Sequence, residues 1–359
     1  MKKNYFMLAL ASMMMAACAN NDLVDEGVVK EEVPQAIEFE TFANKTTRAE
    51  MNETSIKGEG FNVWGYKTAN NTSFTVFDGV EVTWKEATDD VTAHWGYENT
   101  QYWDETATYK FYAVAPYSND LKQGDDDEEY KYAIDANGMI TIKNAESKIS
   151  TESDDYVIDR AGKLGVDGSA KEVVEFNFNH IMAKLSFVLE AGVSEDITVT
   201  ELKMSGWNNA KGTFSQTLDA TPNDCSHSEW SFGGSTVPGV ITLVSEGESL
   251  INETVIDSYI MVPQTIVYTA AQPAVVDNPE TTDVDESANA VPESGLTFTI
   301  SYTIGEEVFT DQVGVVPSDQ IWGTDTHTTY TITVGPAEIK FNVNSVSGWQ
   351  TGNGSVTIQ

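Results

Sequence analysis

The sequence predicts an all-β protein made of β-sandwich domains. Short segments alternate apolar and polar residues with period two, the mark of a strand with one buried face. Gly, Asn and Asp turn residues separate these segments along the whole chain. Helical periodicity is weak throughout, and many short strands divided by such turns mean a sandwich architecture.

The first strand signal is Ile37-Glu38-Phe39-Glu40-Thr41, whose alternation points Ile37, Phe39 and Thr41 to one side. Phe61-Asn62-Val63-Trp64-Gly65-Tyr66 is the next. Residues 73–84 alternate around Asp78-Gly79, a hairpin dipeptide, and residues 130–142 carry a second hairpin around Asn137-Gly138. Between them lies Tyr109-Lys110-Phe111-Tyr112-Ala113-Val114. A long pattern then runs through Val174, Phe176 and Phe178 to Leu185, Phe187 and Leu189. Residues 197–204, 240–244, 259–262, 296–304 and 330–334 continue the series. Last, Ile339, Phe341 and Val343 alternate with Glu338, Lys340 and Asn342, with Val356 and Ile358 behind them. A late strand of this kind is either paired internally or reserved for a neighbour.

A chain of 359 residues with 40 % hydrophobic content has enough material for real cores, and its length suits two domains. The Gly/Ser/Asp/Lys-rich stretch 160–171 is the expected boundary, giving an N-terminal domain over 49–170 and a C-terminal domain over 171–359. Residues 270–294, rich in Pro, Ala, Asp and Glu, read as an insertion between strands.

Residues 1–18 read as a lipoprotein signal. Lys2 and Lys3 precede an apolar run, residues 5–17, that only Ser12 interrupts. That run is too short for a bilayer, which needs ~20 residues. Met15-Ala16-Ala17-Cys18 fits the small-small-Cys site at which Cys18 becomes the lipidated first residue, tethered to a leaflet. Residues 19–48 then form a polar tether and the 37–42 strand, which makes Ile37, Phe39 and Thr41 the inward face of a detachable strand. Arg48, in Thr46-Thr47-Arg48-Ala49, is a basic cleavage point between that strand and the polar segment 49–59. Segment 49–59 is expected to be mobile, and mobile segments are where proteases cut.

Charge and motif content exclude several classes. The net charge is −36, from 56 acidic and 20 basic residues, so nothing is available to neutralise a run of phosphates and nucleic acid is excluded. After Cys18 only Cys225 remains, so no intrachain disulfide is expected. His94, His180, His227 and His327 show neither metal spacing nor a local nucleophile, and His180 reads as a packed or hydrogen-bonded core residue. The run Asp125-Asp126-Asp127-Glu128-Glu129 lacks the alternation and central Gly of a calcium loop and reads as a solvated hairpin tip. There is no nucleophile elbow or phosphate loop. No catalytic residue, metal or cofactor is expected. Trp64, Trp84, Trp95 and Trp103 read as core and cross-strand residues, with a sugar-stacking platform as the other option.

Taken in order, a set of motifs resembles the fimbrillin family, the type V pilins and their relatives. They are the lipobox, the Ile-x-Phe strand before Thr-Thr-Arg-Ala, Tyr102-Trp103, and Tyr109-Lys110-Phe111-Tyr112-Ala113-Val114-Ala115-Pro116. Phe178-Asn179-His180-Ile181-Met182-Ala183-Lys184-Leu185, Gly212-Thr213-Phe214-Ser215 and Val262-Pro263-Gln264-Thr265 follow, then Tyr330-Thr331-Ile332 and Val346-Ser347-Gly348-Trp349. The resemblance implies two transthyretin-like, Greek-key sandwiches in tandem. It implies an arginine-specific protease cutting the Arg48-Ala49 bond, which releases the lipid and the first strand. A strand from another pilin subunit would then fill the vacated groove, in a fimbria at the outer membrane and cell surface.

On this basis the expected function is a structural fimbrial subunit (shaft, tip or anchor) with a role in adhesion. Candidate donor residues are Ile339, Phe341, Val343, Val356 and Ile358. The alternative is a non-polymerising protein that keeps its Cys18 lipid in the outer membrane and binds a glycan or a host surface ligand.

Overall fold

Alternating β-branched and aromatic residues fit a pleated surface buried on one side, and they set this fold. The computed structural model describes residues 33–43, 51–122, 129–135, 137–149, 151, 155–159, 162–208, 211–217, 228–232, 239–245, 247–250, 253–272, 292–336, 339–347 and 356–357. Among the described residues are 25 strands and one helix. The chain starts with β1 (Phe39–Ala43), α1 (Glu53–Glu59), β2 (Phe61–Ala69), β3 (Thr72–Lys85), β4 (His94–Tyr97) and β5 (Thr108–Ala115). Next come β6 (Tyr132–Ile134), β7 (Met139–Glu146), β8 (Lys148–Ile149), β9 (Val157–Asp159), β10 (Lys163–Asp167) and β11 (Val174–His180). β12 (Ala183–Ala191), β13 (Ile197–Trp207), β14 (Lys211–Thr217), β15 (Ser228–Ser231), β16 (Gly239–Val244), β17 (Glu248–Leu250) and β18 (Glu253–Met261) follow. The last are β19 (Gln264–Ile266), β20 (Thr297–Ile304), β21 (Glu307–Val315), β22 (Gln320–Trp322), β23 (Thr326–Val334), β24 (Lys340–Ser347) and β25 (Val356–Thr357).

The all-β prediction holds. One eight-stranded sheet runs β1-β11-β9-β5-β2-β3-β4, with β10 beside β5. Its inward side chains, among them Phe39, Phe61, Phe77, Trp95, Phe111, Phe176 and Phe178, make a core of their own. The outer face of the same sheet presents Trp64, Tyr112, Val114 and Ile158 to Ile140, Ile142 and Phe214 of the four-stranded sheet β15-β14-β7-β6. A third core lies between the six-stranded sheet β25-β24-β23-β12-β18-β8 and the five-stranded sheet of β16, β13, β20, β21 and β17. There Leu185, Phe187, Tyr330 and Phe341 meet Val199, Met204, Phe298 and Ile300.

Sheets form across residue 170. β11 follows it and pairs with β1 and β9; β14 follows it and pairs with β7; β8 precedes it and joins the six-stranded sheet. Residues Gln35–Gln359 form one compact unit.

Two local expectations are corrected. The first hairpin turns not at Asp78-Gly79 but at Asn70-Asn71, where Ala69 faces Thr72 and both Asn residues have positive φ, 51° and 59°. This is the sign that the right-handed strand twist selects at a two-residue turn, and Asn tolerates it. Asp78-Gly79 lies within β3 at a register shift, where Gly79 takes φ 62°. Segment 49–59, expected to be mobile, contains α1. Asn52 Oδ1 accepts from the Thr54 and Ser55 amides, while Ser55 Oγ accepts from Asn52 N at 2.7 Å. This reciprocal cap satisfies orphan donors of the first turn, and Ile56 is fully buried beneath it. The 137–138 hairpin forms as expected, with Ile134 facing Ile140 and Gly138 at φ 79°.

Candidate functional site

The most distinctive site is the seat of the first strand. Residues 35–43 cross between two chain edges and are bonded to both. On one side, Ile37 N donates to Gln101 O at 2.9 Å and Trp103 N donates to Gln35 O at 3.0 Å, around an antiparallel bridge of Ala36 with Tyr102. On the other, Val174 N donates to Glu38 O at 2.9 Å, and β1 runs parallel to β11 from Phe39↔Val174 to Ala43↔Phe178. The Gln35 side chain adds a bond from Nε2 to Lys171 O at 2.9 Å. The segment therefore joins β11 to the chain that follows β4, and closes the gap between them.

Its side chains alternate as the sequence requires. Ile37, Phe39 and Thr41 are 1 %, 2 % and 6 % exposed, whereas Glu38 and Glu40 are exposed and Phe42 is 56 % exposed. The Phe39 ring has four aromatic neighbours: Phe77 at 5.4 Å, Tyr97 at 5.5 Å, Phe176 at 5.8 Å and Phe111 at 6.1 Å between centroids. Such edge-on and offset contacts add to the apolar burial of the ring. Tyr97 also bonds the backbone of the segment: its Oη donates to Ile37 O at 2.7 Å and accepts from Gln101 N at 3.3 Å. Burial pushes the Tyr97 phenol above its ordinary value. The hydrogen bond to the Gln101 backbone opposes that rise, and the nearby Glu38 carboxylate adds to it.

The chain from residue 51 onward has its own anchor. Met51 is buried, and its N–H donates to Asp155 Oδ2 at 2.8 Å. Asp155 is buried and holds His180 Nδ1, at 2.9 Å from Oδ2 and 3.1 Å from Oδ1. His180 is thus a hydrogen-bonded core residue. Trp84 and Trp95 face each other across β3 and β4 with rings 5.3 Å apart, and Trp64, Trp95 and Trp103 are buried. Cys18, Arg48, Ala49, Cys225, His227, residues 125–128 and Ile358 lie outside the described residues. Among the described residues no group of His, Cys, Asp and Glu could hold a metal ion.

The late strand is engaged within its own sheet. β24 pairs antiparallel with β23 from Thr333↔Lys340 to Thr326↔Ser347. Phe341 is buried, with its ring 5.3 Å from that of Phe298, and Ile339 and Val343 pack against the same core. Beyond it, among the described residues, β25 pairs with β24 at Val343↔Val356 and Asn342↔Thr357.

Sequence reasoning finds the strand and its inward face but not its two partners. Parallel pairing with residues 174–178 leaves no local turn signal, and residues 101–103 show only a Tyr-Trp pair. Asp155 sits in an acidic stretch that hides its role.

Residues 47–349 match the fimbrillin-like family model, so the chain belongs to the fimbrillin-like family. Among solved structures it is similar to a fimbrial protein from Bacteroides vulgatus, at 17 % identity and TM-score 0.48, covering 88 % of this chain and 99 % of that one. It is also similar to a fimbrial assembly protein from Parabacteroides distasonis, at 10 % identity and TM-score 0.38, covering 87 % of this chain and 95 % of that one. The tip fimbrial protein Mfa3 from Porphyromonas gingivalis, with a C-terminal truncation, is similar at 12 % identity and TM-score 0.35, covering 88 % and 100 %. No curated protein matches the chain. Family membership makes this a fimbria-related structural protein of the cell surface.

Proposed function

We propose that the chain is a structural subunit of a fimbria with a role in adhesion, made as a lipoprotein on Cys18 and cut between Arg48 and Ala49 by an arginine-specific protease. Donor-strand exchange then joins it to its neighbours. The observation that carries this is the seat of β1. A segment that ends shortly before a basic site buries three alternating side chains and is bonded to β11 on one side and to residues 101–103 on the other. Its removal exposes unpaired backbone on β11 and on residues 101–103, above pockets shaped for a residue at every second position. Such an edge invites another strand, which supplies both backbone pairing and alternate side chains. Contacts passed head to tail without closure make a filament. The family match, which begins at residue 47, also leaves β1 outside the matched span.

Within this reading the donor is the tail beyond Ser347, with Val356 and Ile358 as its pocket residues. Ile339, Phe341 and Val343 stay in their own sheet, because giving up β24 opens the core around Phe298. Intact-mass analysis of surface-sheared fibres tests the proposal. The expected subunit begins at Ala49, and Arg48→Ala accumulates as a lipidated monomer. Fibres whose subunits begin at lipidated Cys18 would overturn it. A surface pool that is wholly monomeric and lipidated would favour the glycan- or host-ligand-binding alternative.

A further inference from the structure

We infer that cutting after Arg48 does not by itself empty the groove: residues 35–43 stay seated as a non-covalent ligand of the mature chain until a competing strand displaces them. This rests on the cleavage reading above and concerns the step that follows it.

The described contacts that hold the strand come from residues far from the cut. Its backbone is bonded to Gln101, Trp103 and β11, the Gln35 side chain donates to Lys171 O, and Phe39 lies among four rings. The other flank is held independently. Met51 N–H is fixed on Asp155, Asp155 holds His180, and the capped helix α1 buries Ile56 directly behind. Both anchors converge on one end of β11: Ala43 is paired with Phe178, and His180 lies two residues further on. A cut between them removes neither set of contacts. It breaks the covalent link, which had supplied a high effective concentration of strand at its groove.

The consequence is a coupling. The fragment 18–48 carries the lipid, so a cut subunit remains on the membrane through its docked strand. It leaves when an incoming segment with alternating apolar side chains takes the Ile37, Phe39 and Thr41 positions in turn. Release from the anchor and entry into a fibre become one event, and an open groove is never exposed to solvent.

The test uses lipidated precursor in phosphatidylcholine vesicles, cut with an arginine-specific protease and separated by flotation. The 49–359 chain is expected to float with the vesicles after cleavage. An excess of a synthetic peptide of residues 35–43 should move it to the soluble fraction. Phe39→Ala should release it at least about a hundred-fold faster. If that variant fails to fold, Tyr97→Phe should release it about five- to ten-fold faster by losing the bond to Ile37 O. A wild-type chain that is soluble as soon as it is cut overturns retention and leaves the cleavage reading standing. A chain that floats but resists the peptide overturns displacement. A second precursor, with residues 45–48 replaced by the site of an unrelated endoprotease, separates the two ideas. If Arg48 resists arginine-specific proteases while the replaced site is cut and the chain still floats, the cleavage reading fails and retention holds.

Discussion

The Phe39 ring stacks on the Phe176 ring, with centroids 5.8 Å apart and planes inclined by 25°. The two are not opposite each other in the parallel ladder, since Phe39 faces Val174 and Phe176 faces Thr41. The contact is a diagonal one, which brings Phe39 over the middle of the groove. There it also reaches β3 and β5 through Phe77 and Phe111. With Tyr97 of β4, one side chain thus ties the strand to four others of the sheet.

Phe39→Ala should therefore destabilise the uncut chain by about 3–5 kcal/mol, the usual range for emptying a buried phenylalanine site. Phe42→Ala, on the exposed face, should stay within about 0.5 kcal/mol. Urea denaturation of the two variants against wild type checks both. Equal midpoints for all three would mean that the strand is not docked in solution.

Tyr97 should give the uncut chain an alkaline signature. Its pKa is raised in the folded state, chiefly by burial. The stabilisation it provides is then complete below the unfolded value of 10.0 and is lost as pH rises through the folded one. Tyr97→Phe should cost about 1 kcal/mol at neutral pH, for the lost bond to Ile37 O. It should also flatten the loss of thermal stability above pH 10. A variant as alkali-sensitive as wild type would remove Tyr97 from the set of titrating groups.

His327 should act at the acid end. Burial, and then the Lys184 ammonium, pushes its imidazole from 6.5 down to about 4, and its Nε2 lies 2.9 Å from Ser186 Oγ. As pH falls the unfolded ring takes up its proton first, so stability is lost from pH 6.5 downward until the folded ring titrates near 4. His327→Gln should flatten that stretch relative to wild type in pH-resolved thermal melts, with no change at pH 8. Parallel curves for variant and wild type would mean that the ring is accessible in the native state.

Gly79 separates a bulge from a turn. With φ 62° in the interior of β3, Gly79→Ala should cost about 1–2 kcal/mol, the left-handed penalty of a Cβ. Leu121 and Trp64, against which that Cβ would press, must also give way. Gly58→Ala in α1 meets no atom within 4 Å and should instead stabilise by about 0.4–1 kcal/mol. Thermal melts of the two single variants check the opposite signs.

That pair also shows how far the sequence is legible. Alternation at Ile37, Phe39 and Thr41, or at Val174, Phe176 and Phe178, reports burial directly, because a strand has only two faces. Asp78-Gly79 misleads because one left-handed glycine serves a hairpin and a bulge equally well, and only the pairing with β2 tells them apart. The cap Asn52 with Ser55 is a local signal that a search for long amphipathic helices passes over. The two partners of the first strand are far away in sequence, at residues 101–103 and 174–178. No local pattern encodes that a strand at 39–43 lies parallel to one at 174–178.

The end of the chain supplies the last prediction. β24 pairs with β23 along its whole length and puts Phe341 against Phe298, whereas among the described residues β25 meets β24 at two register positions. If exchange uses a segment that can be given away at little cost, it must be the tail. A chain ended after Ser347 should fold with an unchanged denaturation midpoint and, once cut at Arg48, should fail to form fibres. A chain ended after Gly335 should lose far more, because emptying the Phe341 site alone costs about 3–5 kcal/mol and leaves β23 as a bare edge. Chemical denaturation and electron microscopy of the two truncations check this together. Fibres from the chain ended after Ser347 would remove the tail as donor. A stable, soluble chain ended after Gly335 that is merely unable to polymerise would instead return the role to Ile339, Phe341 and Val343.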